Sequence, residues 1–325
     1  MWVDDTGAII GSVTIGGCVD ARVIEEAQEV IGAGTSRVVS MALGDEDAWA
    51  LGMTCAGTVE VLIEPYTPAP ESDPVARSLE LAGREVAAGR RMAVVVPIHG
   101  AHGRLDVTED GTYEGTLGSI ALDVAARDLA LLRVESGRSG TSTIRTPSGE
   151  VRVYVDVHAP AMTLVIFGAT HVAMPLVEMA KVIGWRTVVV DGRERFATRE
   201  RFPQADELIV GMPSEIATKL PLGPMSLVVL LSHDYKYDLP VLQAVLSSDV
   251  AYVGCLGSAR RGQAMLSFLA EQGVPAGQLE RVRIPIGLDI GARSASEIAL
   301  CVLAEGLAVQ RERTGGAMRD RRASA

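Results

Sequence analysis

The 325-residue chain is too long for one ordinary core and reads as two domains. Apolar residues make up 48% of it but aromatics only 4%, so Val, Leu, Ile and Ala carry the core, as in parallel sheets covered by helices. A formal net charge of −11 speaks against a nucleic-acid binder, because no net positive field draws phosphates in.

The chain opens on a pattern that it later repeats. Val3 to Val13 and Val107 to Leu117 each read as a strand, a Gly turn at Gly7 or Gly111, and a second strand. A helix follows each. After the first, Asp20 is expected to cap a helix with Val23, Ile24, Ala27, Val30 and Ile31 on one face, ended by Gly32. After the second, Ala121 to Val134 has similar periodicity. Each copy closes with a strand running into proline, Thr58 to Glu64 before Pro65 and Val151 to Ala159 before Pro160. The second copy has an additional opening strand, Met92 to Ile98, followed by a His/Gly-rich loop. The first lacks it, the chain starting after that point, so an exposed edge near Val3 to Ile9 and a homodimer that covers it are expected. The proline-rich stretch Tyr66 to Pro74 separates the copies, and residues 1–160 form the first, α+β domain.

From Thr163 strands and helices alternate. Leu164 to Phe167, Thr187 to Val190, Glu207 to Val210, Leu227 to Leu231 and Ala251 to Gly254 read as buried strands. A helix runs to Ile183 and stops at Gly184, Ser258 caps another to Gln272 before Gly273, and Ser294 with Glu297 forms a capping box. This order specifies an α/β doubly wound parallel sheet, the Rossmann arrangement, over residues 161–312. Arg311, Arg313, Arg319, Arg321 and Arg322 belong to a solvated tail, flexible over 313–325. No apolar run is long enough to cross a bilayer and Met1 to Gly11 lacks signal-peptide grammar, so a cytoplasmic protein is expected.

The turn Gly168-Ala169-Thr170-His171-Val172-Ala173 is a variant of G-x-G-x-x-G between a strand and a helix. Asp191 ends the next strand, where a carboxylate binds ribose hydroxyls, and Arg193 beside it is placed to pair a 2′-phosphate. A Rossmann-shaped domain without nucleotide is the other reading. Ser232-His233-Asp234 ends the fourth strand at the ligand-binding edge, or else simply caps a loop. Gly257-Ser258-Ala-Arg260-Arg261 opens a helix, as an anion site or a solvated first turn. His99 and His102 sit in a glycine loop, not on a helical metal face, and no metal site is expected. Cys255 and Cys301 read as core. Cys18, just before a helix N-terminus, and Cys55, just before a strand, are flanked by small residues that leave room for a ligand.

At these residues the sequence resembles the XdhC/CoxI family, accessory proteins of molybdenum hydroxylases. The first domain carries Gly16-Gly-Cys-Val-Asp20, Cys55-Ala-Gly57 and Val61-Leu-Ile-Glu-Pro65. The second carries Phe167-Gly-Ala-Thr-His-Val172, Asp191-Gly-Arg193, Arg201-Phe-Pro203, Ser232-His-Asp234, Tyr252-Val-Gly254, Gly257-Ser258 and Pro285-Ile-Gly-Leu-Asp-Ile-Gly291. The family usually has Gly at position 170, Thr at 232, Gly at 56 and Glu at 20. The resemblance implies a factor that binds molybdenum cofactor (molybdopterin), helps it acquire its terminal sulfur and delivers it to an apo-hydroxylase of the xanthine or CO dehydrogenase type, with a cysteine desulfurase as a further partner. It implies a chaperone more than a turnover enzyme. An NAD(P)- or FAD-dependent oxidoreductase and a pure scaffold remain the alternatives. Cys18 and Cys55 are expected to share a pocket that handles cofactor or sulfur and faces the cleft between domains, near Asp20 and the Gly257–Arg261 loop.

Overall fold

A computed structural model describes residues 1–13, 18–43, 57–147, 149–232, 234–317 and 319, with the backbone alone at Cys18, Ala42, Leu43 and Gly57. The chain divides into two compact units, Met1–Pro160 and Ala161–Ala325.

The first unit opens with the hairpin of β1 (Trp2–Val3) and β2 (Ile9–Ile10), then α1 (Cys18–Ala33) and the antiparallel pair β3 (Arg37–Leu43) and β4 (Gly57–Ile63). After α2 (Pro74–Ala87) come β5 (Met92–His99), β6 (Arg104–Thr108), β7 (Tyr113–Thr116), α3 (Ile120–Ser136), β8 (Gly140–Thr146) and β9 (Gly149–His158). These last strands form one antiparallel sheet in the order β7-β6-β5-β9-β8. β5 is central, and Met92, Ala93, Val94 and Val95 are buried on both its faces. Ala93 and Val95 meet Leu122, Ala126 and Ala130 of α3, while Met92, Val94 and Val96 meet Ala82 of α2.

The two copies agree down to single hydrogen bonds. Asp20 does not cap α1 but lies in its first turn, where its carboxylate accepts from the Ser12 hydroxyl and from Val13 N at 3.0 Å. Asp123 does the same in α3, accepting from Thr116 Oγ1 at 2.8 Å and Leu117 N at 2.6 Å. Each helix ends at a glycine with φ of 64°, Gly34 and Gly137, a left-handed conformation that costs other residues strain. Gly32, read from sequence as the stop, is helical instead, two residues short of the true cap. No element was expected over 74–87, because Pro74 reads as linker. Proline is in fact favoured at a helix's first position, and Asp73 caps α2 by accepting from Val75 N and Ala76 N at 2.8 and 3.2 Å.

The second unit holds a six-stranded sheet ordered β12-β11-β10-β13-β14-β15, with every neighbouring pair parallel. Its strands are β10 (Thr163–Phe167), β11 (Arg186–Asp191), β12 (Glu207–Val210), β13 (Ser226–Leu230), β14 (Tyr252–Cys255) and β15 (Val282–Arg283). Its helices are α4 (Ala173–Val182), α5 (Pro213–Ala217), α6 (Tyr235–Leu246), α7 (Ala259–Glu271), α8 (Ala276–Leu279) and α9 (Ala295–Gln310). Leu164 and Ile166 of β10 face one core with Leu176 and Val302, whereas Val165 and Phe167 face the other with Leu242 and Met265. Burial on both faces explains why these strands are continuous apolar runs. Cys255 and Cys301 are free thiols inside these cores, and burial raises the thiol pKa of both. Among the described residues no helix is long and apolar enough to cross a membrane.

Candidate functional site at the carboxyl edge of the second sheet

The chain enters β10 first, winds outward through β11 and β12, then returns to β13 on the other side of β10. That reversal opens a crevice outside the carboxyl ends of β10 and β13, where ligands bind in open α/β sheets. Gly168 leaves β10 here with φ of 108°, and a Cβ on it would lie 3.0 Å from Ser232 N. Glycine therefore serves both backbone conformation and close approach at this point.

The turn that follows is clamped from two sides. Ala169 N donates to Asp191 Oδ2 at 2.7 Å, and Ala169 O accepts from Arg201 Nη1 at 2.9 Å. Asp191 is buried at the end of β11. Besides Ala169 N, its carboxylate accepts from Arg193 N and Nε at 2.9 Å and from Arg193 Nη2 at 2.8 Å. Burial would raise this carboxyl's pKa, but the Arg193 guanidinium and the two amides outweigh it and hold the group below the ordinary Asp value. The Arg193 guanidinium also lies 3.9 Å from the Phe196 ring centroid, a cation–π arrangement that keeps it at the rim. Thr170 has its hydroxyl buried without a hydrogen-bond partner among the described residues, and His171 is exposed. The first turn of α4 has no side-chain cap.

A second cluster forms where β13 and β14 end. Asp238, 3% exposed, accepts from the Ser232 hydroxyl and from Arg261 Nη2 at 2.8 Å. Arg261 in turn stacks 4.4 Å from the Tyr235 ring centroid. Asp234 caps α6 by accepting from Lys236 N, and Ser258 caps α7 by accepting from Arg261 N. Arg260 points to solvent while its neighbour Arg261 turns inward, since successive helical residues do not share a face. Asp238 escapes sequence reading, although a lone Asp on the apolar face of α6 is the kind of signal that marks it. A cavity of about 260 Å³ joins the two clusters, lined by Gly168, Asp191, Arg193, Met212, Ser232 and Asp238 among others.

The structure thus brings Gly168, Asp191, Arg193, Ser232 and Asp234 around one cavity, with Ala169 bonded to Asp191. Gly257, Ser258 and Arg260 lie beyond it at the start of α7, which enters the cluster through Arg261. Of the expected thiol pair, Cys18 begins α1 and its side chain lies outside what the structure describes, as does Cys55; His233 also lies outside the described residues. Among the described residues no group of three His, Cys, Asp or Glu side chains is placed to hold a metal ion.

Sheet order and crevice define a Rossmann-type unit joined to an α+β unit built from two related halves. The chain belongs to the XdhC and CoxI family: residues 1–42 match the family's N-terminal model and residues 164–305 match the XdhC Rossmann domain. It is 27% identical, over 89% of its length and 81% of the relative's, to a probable xanthine dehydrogenase subunit of Bacillus subtilis (strain 168). It is 25% identical, over 94% of its length and 76% of the relative's, to the molybdenum cofactor insertion chaperone PaoD of Escherichia coli (strain K12). The crystal structure of a xanthine dehydrogenase from Bacillus halodurans is similar with a TM-score of 0.75 and 25% identity, covering 99% of this chain and 87% of that one.

Proposed function

We propose that this chain is an accessory factor for a molybdenum hydroxylase that holds molybdenum cofactor as cargo and passes it to the apoenzyme. The observation that carries this reading is the crevice bounded by Asp191, Arg193, Ser232 and Asp238, in a family whose relatives include a molybdenum cofactor insertion chaperone. A cavity of about 260 Å³ lies just below the ~300 Å³ at which pockets for whole drug-sized ligands begin, and so suits one end of a longer molecule. Asp191 would accept from a ribose hydroxyl or a pterin N–H there, and the uncapped amides of α4 would face an anionic group.

The same crevice fits a resident NAD(P) or FAD on one condition. The Asp191 oxygens are engaged by Arg193, so ribose hydroxyls would displace that guanidinium while the Ala169 contact stays. A bound redox dinucleotide would supply hydride transfer, and this chain's part would be to hold the ribose at Asp191. Help with sulfuration, a cysteine desulfurase partner and a homodimer belong to the same reading, as do roles for Cys18 and Cys55. Mass spectrometry of ligands that co-purify with the native protein tests it. A molybdopterin supports cofactor handling, a redox dinucleotide alone supports the oxidoreductase, and the absence of both contradicts each.

A further inference from the structure

The turn after β10 departs from a dinucleotide-binding turn at one residue. In G-x-G-x-x-G the first glycine makes the turn, the second lets the backbone approach a pyrophosphate, and the third lets the helix pack closely on the strand. Gly168 and Ala173 meet the first and third requirements, Gly168 with φ of 108° and Ala173 fully buried. Thr170 stands at the second, with a branched side chain where that approach needs none.

The backbone of this turn is committed as well. Ala169 N donates to Asp191 Oδ2 at 2.7 Å and Thr170 N donates to Gly168 O at 2.9 Å, so neither amide is left for a phosphate. The helix α4 begins only at Ala173, and Pro175, its third residue, has no N–H to offer. The Thr170 hydroxyl does not replace these donors, because it is buried and a ligand arriving from solvent does not meet it. Arg201 holds the turn in this form by donating from Nη1 to Ala169 O at 2.9 Å and to Phe196 O at 2.8 Å. The cavity runs the other way, past Gly168 to Asp191, Gly211 and Met212, and is lined by neither Ala169 nor Thr170.

We infer that Thr170 restricts this crevice to ligands that carry a single phosphate and excludes those whose two halves are joined by a pyrophosphate, an assignment that rests on the crevice being the binding site proposed above. Arg193 is a removable obstacle to a dinucleotide, because its side chain is 55% exposed and can leave Asp191 for solvent. Thr170 is a fixed one, because its Cβ hangs on a turn held by both Asp191 and Arg201. A nucleoside or pterin with one phosphate reaches Asp191 and sets that phosphate off the first turn of α4 without the close backbone approach. Thr170 thus selects among ligands by shape, and its hydroxyl takes no part.

The test titrates AMP and ADP-ribose into the full chain and into its Thr170→Gly and Thr170→Val variants by calorimetry. The wild type should bind the two ligands within ~3-fold of each other, since the second phosphate gains no hydrogen bond. Thr170→Gly should tighten ADP-ribose by ~10-fold or more, the worth of one hydrogen bond to a charged group, and leave AMP unchanged. Thr170→Val keeps the branched shape, loses only the unpartnered hydroxyl, and should behave as the wild type. The wild-type ratio is decisive by itself even where glycine disturbs the turn. A wild type that binds ADP-ribose ~10-fold tighter than AMP overturns the proposal, as does a ratio that glycine leaves unchanged or that valine raises equally. Binding of neither nucleotide by the wild type overturns it too, by removing ribose from Asp191. Failure of the cofactor-handling reading shows separately, as the absence of a molybdopterin among co-purifying ligands, and leaves these ratios untouched.

Discussion

Arg193 grips Asp191 in a two-point contact, Nε to Oδ1 at 2.9 Å and Nη2 to Oδ2 at 2.8 Å, at the tip of β11 where a Rossmann domain meets ribose. The carboxylate is thus held in place and charged, but covered on its outer side. Arg193 is more than half exposed, so the ion pair it gives up on moving into solvent is screened and weak, and the Ala169 bond remains to hold the carboxylate.

Replacing Asp191 with Asn should weaken binding of any ribose-bearing ligand by about 1.5–3 kcal/mol, the range for a hydrogen bond to a charged group. Titration calorimetry reads this directly. Arg193→Ala should leave NAD binding equal or tighter, because the ligand no longer displaces a guanidinium, and should lower any preference for NADP. Unchanged affinity in Asp191→Asn removes the residue from the site.

The same carboxylate links stability to pH. Its folded pKa lies below the ordinary Asp value of ~3.9, so its contribution is complete above that pH and is lost as pH falls through the lower folded value. Urea midpoints of the wild type should therefore fall more steeply below about pH 4 than those of Asp191→Asn. Parallel acid limbs would show that the Arg193 contact contributes nothing.

Asp238 and Arg261 form the more buried pair, with side chains 4% and 17% exposed. Removing either partner alone should cost about 3 kcal/mol, because the other charge is left without its partner. The double variant Asp238→Ala/Arg261→Ala should cost less than the sum, and denaturant unfolding of the four-member cycle measures the difference. Strict additivity would mean that the two do not act together.

Gly168→Ala places a Cβ 3.0 Å from Ser232 N at a φ of 108°. It should cost about 1–3 kcal/mol and loosen the β10–β13 junction, and with it the crevice. Equal stability and equal ligand affinity would remove the switch-point role from this glycine.

Much of the second unit is legible in the sequence, for a physical reason. A parallel strand buried on both faces must be continuously apolar, so Leu164 to Phe167 and Leu227 to Leu231 declare themselves, and Ser258 and Ser294 cap their helices as their side chains dictate. The first unit is less legible. Gly140–Thr146 is a mostly exposed strand whose alternation is diluted by polar residues, Arg37–Leu43 is too short and unpatterned a run to tell strand from helix, and α2 hides behind a proline that looks like linker. At the site, Asp191 and Gly168 follow from spacing. The Asp238–Arg261 pair does not, because its partners lie on different helices and only the fold brings them together.

Service to a molybdenum hydroxylase is tested most directly by reconstitution. A purified apo-hydroxylase is mixed with molybdenum cofactor in the presence and absence of the chain, and the rate at which activity appears is followed. The chain should raise that rate and the final activity well above those with cofactor alone, and Asp191→Asn should lower the gain. Activation that proceeds equally fast without the chain would contradict the account.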